Sequence, residues 1–576
     1  MRTGQPLLSV RGLTTKILTA TGPRTVVDGL SFDVDDNEIL AIIGESGSGK
    51  SVATQSIMGL MPSPPAKVVA GQALFEGRNL LAMPPAELRT LRGNRIGMIF
   101  QEPMAALNPM MAVGDQIAEA LVTHREMGWS AARAETLRLL ERVRIPDAAG
   151  RAKLHPSALS GGMCQRVVIA AALACKPSLV IADEPTTALD ATVQAEILAL
   201  IRELQKDVGC GVIFITHDMG VVRHIADRIL VMQAGRAVES GSRAETLDRP
   251  SHDYTRLLIK ATSPATPKPP APSSDTVSAP PLVIEDLIVS FPRTQSMMSF
   301  KPQDRLFAVD GVSLTVSEGE TVALVGESGS GKTTIARAIL GLTEPDNGRV
   351  LLKGQDVNTA GGRTRDRVQF VFQDPQLSLD PRYRAWRSVI EPLMLGGERD
   401  RALLCDKAEN LMAKVGLDAR YLDRYPHELS GGQRQRLGIA RALSVEPDLV
   451  IADEAVSALD ATTRLQVLEL FEQIQAETRL PILFITHDFA VVTRIAHRVA
   501  VMRFGRMVEI GPTASVLAAP RHGYTRALIA AAQGGEVGAL PASRGHRIGL
   551  KNSERDWRPL VEVAPGHFVE EQGMVA

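Results

Sequence analysis

"GESGSGKS" occupies residues 44–51 and "GESGSGKT" residues 326–333. Each follows a short apolar run, "EILAIIG" at 38–44 and "ETVALVG" at 320–326, that reads as a strand. Each also opens a helical stretch. The pattern G-x-x-x-x-G-K-[ST] is a phosphate grip. Its glycines let successive backbone N–H groups curl around phosphate oxygens, and the helix start adds its positive end. The first loop comprises Gly44, Glu45, Ser46, Gly47, Ser48, Gly49, Lys50 and Ser51. The second comprises Gly326, Glu327, Ser328, Gly329, Ser330, Gly331, Lys332 and Thr333. Lys50 and Lys332 are expected to reach the β- and γ-phosphates of ATP, and Ser51 and Thr333 to hold Mg²⁺ by their hydroxyls. A glycine-rich turn can exist without a ligand, but the strand before it and the helix after it, seen twice, point to nucleotide.

The duplication extends well beyond the loops. Asp183 matches Asp453, His217 matches His487 and Tyr254 matches Tyr524, each pair 270 residues apart. Lys50 and Lys332 are 282 apart, so the first copy is longer after its loop: 51 residues separate Lys50 from Gln101, against 41 from Lys332 to Gln373. Between the copies lies "ATSPATPKPPAPSSDTVSAPP" at 261–281, in which seven of 21 residues are proline. Such a segment has no apolar face and is expected to be an extended, semi-rigid spacer. The expected organisation is a first domain over 7–260, a linker over 261–281, a second domain over 282–534 and a tail over 535–576.

Apolar strands alternate with amphipathic helices within each copy, which indicates an α/β fold with a parallel or mixed sheet. "LVIADEP" and "LVIADEA" end in carboxylates that are costly at a buried strand end unless they meet a cation. Asp183 and Asp453 are therefore assigned to Mg²⁺, and Glu184 and Glu454 to polarising a water against the γ-phosphate. His217 and His487 each end an "IT-H-D" strand. A lone strand-end histidine is usually an ordinary surface residue, but recurrence at the ligand end of a parallel sheet favours a γ-phosphate contact. Gln101 in "IFQEP" and Gln373 in "VFQDP" could, on the residues alone, simply satisfy backbone groups.

Bulk properties exclude several classes. The 576 residues carry 64 basic and 65 acidic side chains, and only 4% are aromatic, which argues against a nucleic-acid surface. Cys164, Cys175, Cys210 and Cys405 form no CxxC pair, so they read as reduced thiols, mostly buried, of a cytosolic protein. The N-terminal "MRTGQPLLSVRGL" lacks the apolar region of a secretory signal. The longest apolar run, "VVIAAALAC" at 167–175, is too short to cross a membrane and is expected to be a core helix.

"LSGG" at 159–162 and again at 429–432 adds a fifth motif in order. With the phosphate loop, the glutamine, the "DE" strand and the histidine strand, the chain resembles the ATP-binding cassette (ABC) ATPases from about 7 to 265 and from about 282 to 535. The resemblance implies two tandem nucleotide-binding domains. Each would have a mixed or parallel core sheet, an antiparallel β subdomain and a helical subdomain. It also implies head-to-tail pairing of the cassettes within the one chain, so that ATP on one phosphate loop is capped by the other's LSGG helix. One site would then combine Lys50, Ser51, Gln101, Asp183, Glu184 and His217 with Ser430, Gly431, Gly432 and Gln433. The other would combine Lys332, Thr333, Gln373, Asp453, Glu454 and His487 with Ser160, Gly161 and Gly162. In the family the two glutamines also approach the metal, and their loops contact permease coupling helices. The copies depart from one another: the second signature reads "LSGGQRQR", the first "LSGGMCQR" with Met163 and Cys164. Phe291 stands where the family often stacks an aromatic on adenine, and Ile17 is its partner position. Both sites are expected to hydrolyse ATP, unequally.

"FQEPMAALNP", "FQDPQLSLDP" and the segments "PSHDYTRLL" and "PRHGYTRAL" narrow the resemblance to bacterial oligopeptide, dipeptide and nickel importer ATPases, especially fused versions serving peptide or glutathione uptake. The partners so implied are two permeases and a periplasmic binding protein, with no nucleic acid, at the cytoplasmic face of the inner membrane. Nickel chelates and opines stay open as cargo. A ribosome-associated double cassette is disfavoured by the proline-rich linker, and a DNA-repair cassette by the lack of zinc cysteines. For 535–576, an accessory strand and a featureless tail are both open.

Overall fold

A computed structural model describes residues 5–19, 22–186, 191–262, 266–269, 279–292, 305–359, 367–532 and 559–571. The chain forms two compact units, one built mainly on 1–262 and the other mainly on 263–576.

The core sheet of the first unit runs, edge to edge, Arg236–Ser242, Arg228–Gln233, Ile39–Ile43, Gly211–Thr216, Leu179–Asp183 and Ile96–Ile99. All neighbours are parallel except the first pair, which is antiparallel. Continuous apolar runs such as "ILAII" suit strands covered on both faces, and every residue of Ile39–Ile43 is buried. Because side chains alternate across a strand, each run feeds two cores. Val212 and Phe214 pack with the helices Val113–Arg125, Trp129–Arg142 and Gly161–Leu173. Ile213 and Ile215 pack toward a separate antiparallel sheet of Gly22–Val34, Leu8–Thr19, Ala66–Phe75 and Arg78–Asn79. The run at 167–175 lies mostly in helix Gly161–Leu173, with Val167, Ile169 and Ala170 buried. The expected α/β fold, with its antiparallel and helical subdomains, is what forms.

The second unit repeats this plan. Its core sheet runs Val368–Val371, Leu449–Asp453, Ile482–Ile485, Thr321–Val325, Arg498–Arg503 and Arg506–Pro512. Two further strands follow, His567–Glu570 and Leu560–Ala564, an antiparallel hairpin from the tail. Of the two readings left open for the tail, the accessory strand is realised over these residues. Glu509 faces Val569 and Ile510 faces Phe568 across the new edge. Part of the first copy's surplus length lies in strand Ala66–Phe75, ten residues against six in Asn347–Leu352. Cys164, Cys175 and Cys210 are buried and Cys405 is half-buried, all four as free thiols. Among the described residues no helix is long and apolar enough to cross a membrane.

Candidate nucleotide sites

Each phosphate loop leaves its strand at a glycine that nothing else can replace. A Cβ on Gly44 would sit 2.2 Å from the Met232 carbonyl oxygen, and on Gly326 2.3 Å from that of Met502. The left-handed Gly49 and Gly331, at φ of 97° and 107°, then launch helices Lys50–Ile57 and Lys332–Ile339. Lys50 Nζ donates to the carbonyls of Gly44 (2.8 Å) and Glu45 (2.9 Å). Lys332 Nζ does the same with Gly326 and Glu327, both at 2.8 Å. Burial pushes the Lys50 ammonium below its usual range, opposed by Glu184 and Asp183. A cation so placed gains from an added polyanion. Ser48 Oγ is buried in the same loop without a hydrogen-bond partner among the described residues, a donor suited to phosphate. In the second unit a cleft of about 310 Å³ opens over the loop, lined by Ser328, Gly329, Lys332, Thr333, Asp453 and Glu454.

Of the proposed metal donors, the hydroxyl and the aspartate meet in both units, while Gln101 and Gln373 bond to Glu184 and Glu454. Ser51 Oγ donates to Asp183 Oδ1 at 2.7 Å, and Thr333 Oγ1 to Asp453 Oδ2 at 3.3 Å. Burial raises both aspartates above the usual carboxylate range, and Glu454 adds to the effect on Asp453. Desolvated carboxylate beside a hydroxyl is a hard-oxygen pair that fits Mg²⁺ shared with phosphates.

Glutamine, glutamate and histidine stand far apart in the sequence, and the fold brings them into contact. Gln101 Nε2 donates to Glu184 Oε2 at 3.0 Å, and His217 Nδ1 lies 3.4 Å from Glu184 Oε1. In the second unit the corresponding distances are 2.7 Å from Gln373 and 3.2 Å from His487, both to Glu454. The hydrogen bond from His487 holds the Glu454 carboxyl below its ordinary range against burial. Both glutamates sit at positive φ, 45° and 47°, an uncommon conformation for a residue with a Cβ. Their backbone N–H groups are anchored to the carbonyls of Ile215 and Ile485.

The LSGG serines cap their helices, but differently. Ser430 Oγ accepts from the Gln433 N–H, and Gln433 Oε1 accepts from the Ser430 N–H at 2.9 Å, a reciprocal capping box. Ser160 Oγ accepts from the Met163 N–H, and the thioether of Met163 contacts Arg151 instead of returning a bond. Gly161 and Gly431 have open space around them, whereas a Cβ on Gly432 would lie 2.2 Å from Thr463 Cγ2. Phe291 is exposed and pairs with Leu306 across its sheet; Ile17 pairs with Arg24.

Two residues that mark the repeat and the family likeness, with no role at the site expected from sequence, also touch the loops. Tyr254 Oη accepts from the Glu45 N–H, and Tyr524 Oη from the Glu327 N–H, each at 3.0 Å. Their recurrence at the same 270-residue offset as Asp183 and His217 was the available signal.

Residues 27–187 and 309–457 match the family model described as ABC transporter. Residues 238–278 and 508–539 match the oligopeptide/dipeptide transporter C-terminal region. A glutathione import ATP-binding protein of Escherichia coli (strain CFT073) is 42% identical over 98% of this chain and 96% of its own length. One from Pectobacterium atrosepticum is 44% identical over 95% and 94%. A solved dimeric ATP-binding cassette bound to ADP and phosphate is 26% identical, covering 41% of this chain and 98% of its own, with a TM-score of 0.38.

Proposed function

The chain belongs to the ABC transporter family, and from that premise we propose that its two cassettes complete one another's ATP sites. It is an ATPase subunit of an importer, and its cargo class is peptides or glutathione. The observation that carries the catalytic reading is the meeting of Gln, Glu and His on one carboxylate in both units.

ATP binding places the β- and γ-phosphates in the loop N–H groups, with Lys50 or Lys332 neutralising charge. Mg²⁺ held at this place would supply positive charge to offset the charge that develops on the leaving phosphate. Ser51 with Asp183, and Thr333 with Asp453, are the protein's donors to it. Glu184 and Glu454 accept a proton from the attacking water, while His217 and His487 orient the carboxylate and face the γ-phosphate. Gln101 and Gln373 hold the same carboxylates, so movement of either glutamine loop changes the position of a base. Phe100, Met104 and Met110 around the first glutamine, and Phe372 and Leu377 around the second, are exposed apolar side chains. They support docking of two permease subunits on these loops. The LSGG residues Ser160, Gly161 and Gly162 would cap the second site, and Ser430, Gly431, Gly432 and Gln433 the first. A periplasmic binding protein would deliver the cargo, and the subunit would work peripherally at the cytoplasmic face of the inner membrane.

Cross-linking tests the pairing. Gly431 has room for a side chain and Ser46 is exposed on the first phosphate loop. Cysteines at these two positions, in a Cys405→Ser and Glu184→Gln/Glu454→Gln background, should join through a short bismaleimide only with ATP. Absence of the cross-link, with the same cysteine pair hydrolysing ATP normally when both glutamates are intact, would refute composite sites.

A further inference from the structure

The importer-type segments "PSHDYTRLL" and "PRHGYTRAL" lie away from every nucleotide-gripping motif in sequence, yet each sends one side chain to a phosphate loop. We propose that Tyr254 and Tyr524 are positioning residues for the two phosphate loops. Each would hold the loop's second peptide in the orientation that nucleotide binding requires.

The geometry is a chain of hydrogen bonds from the sheet edge to the loop, built twice. In the first unit Glu239, on edge strand Arg236–Ser242, accepts the N–H groups of Ser251 (2.7 Å) and His252 (3.1 Å). His252 Nδ1 accepts the Tyr254 N–H at 3.2 Å, which sets the first turn of helix Asp253–Thr262. Tyr254, only 5% exposed, then delivers its hydroxyl oxygen to the Glu45 N–H. The carbonyl of that same Glu45 accepts Lys50 Nζ. One residue of the loop is therefore held at its N–H by the tyrosine and at its C=O by the phosphate-binding lysine. In the second unit Glu509 accepts from Arg521 (2.8 Å) and His522 (3.0 Å), and His522 Nδ1 from the Tyr524 N–H at 3.1 Å. Tyr524 is fully buried and reaches the Glu327 N–H, while the Glu327 carbonyl accepts Lys332 Nζ.

A phosphate loop binds by presenting backbone N–H groups in a fixed curl, so its affinity depends on the peptide planes being set beforehand. A neutral buried phenol suits this task. It accepts a hydrogen bond without placing negative charge beside the incoming phosphates. Burial pushes the Tyr254 hydroxyl up to about 12, so it stays neutral across the physiological range. The relays differ in how firmly they are backed. Arg503 lies 4.8 Å over the Tyr524 ring, where the first copy has Gln233. His567 Nε2 of the tail hairpin adds a contact at 2.8 Å to Glu509 Oε1.

Tyr254→Phe and Tyr524→Phe, alone and together in the full chain, remove one oxygen each and keep the ring. Loss of one hydrogen bond predicts roughly two- to tenfold weaker mant-ATP binding at one site in each single variant and at both in the double. Turnover at saturating ATP should stay within about twofold, so the effect appears in KM and not in kcat. Tyr254→Leu serves as the packing control, and should lose at least as much affinity as the phenylalanine. Wild-type affinity in the double phenylalanine variant overturns the proposal, whatever happens to its melting temperature. So does a pattern in which only the leucine variant binds weakly, because packing would then be the cause.

Discussion

Strands Arg236–Ser242 and Arg506–Pro512 pair with equivalent strands in their sheets, but the first has no buried residue and the second buries five of seven. Both carry a glutamate that accepts the backbone of the following turn, Glu239 and Glu509. Only the second is covered by the hairpin of 560–570, with His567 against Glu509 and His522 3.7 Å from Glu570. The signature helices differ in a parallel way, since the second has a reciprocal capping box and the first a one-way cap. The side-chain contacts around the phosphate loops match in the two copies, and the supports behind them do not. Duplication here has kept the grouped side chains matched while the supporting contacts behind them differ.

The largest expected effect breaks the matched part. Glu184→Gln or Glu454→Gln should each slow its own site by about 10²–10⁴-fold, the usual size for losing a positioned general base. Single-turnover hydrolysis with each variant measures the sites separately, and unequal residual rates would quantify the asymmetry directly. Wild-type rates in the double variant would remove both glutamates from the mechanism.

A smaller effect concerns the covered edge. His567→Leu leaves an oxygen of the fully buried Glu509 with less compensation, and an unsatisfied buried group costs about 1–3 kcal/mol. Hydrogen exchange should show loosening confined to the second unit, around 506–526. Equal protection in wild type and variant would mean that the hairpin adds no support.

The smallest effect concerns the cap. Met163→Gln can rebuild the reciprocal bond to Ser160, worth about 0.5–1 kcal/mol, and should raise ATPase activity by at most a few-fold. Gln433→Met should do the reverse. A fall in activity on rebuilding the cap would show that the Met163 contact with Arg151 matters more than the missing bond.

Much of this was readable before any coordinates. Gly44 and Gly326 are legible because each opens a G-x-x-x-x-G-K-[ST] pattern between an apolar strand and a helix; that a Cβ there would strike the Met232 or Met502 carbonyl is visible only in the fold. Asp183 and Asp453 do so because a charged group ending a buried apolar strand demands a cation. The contacts of Gln101 and His217 with Glu184 were not readable, because 83 and 33 residues separate them in the chain and only strand order makes them neighbours. The tail was left undecided for a related reason. "LVEVA" and "HFVE" have strand-like composition, but whether a strand forms depends on an open edge elsewhere.

By itself the sequence determined the duplication, the α/β class, the two glycine-rich loops and the residue types proposed to work on a γ-phosphate, because these depend on local periodicity and on rigid spacing within a loop. Tertiary structure alone decided that glutamine, glutamate and histidine share one carboxylate, that a C-terminal tyrosine reaches each phosphate loop, and that the tail closes one sheet edge and not the other. Those facts depend on which distant surfaces meet. Hydrogen bonds and burial between segments from 33 to 209 residues apart are set by packing, which no local pattern encodes.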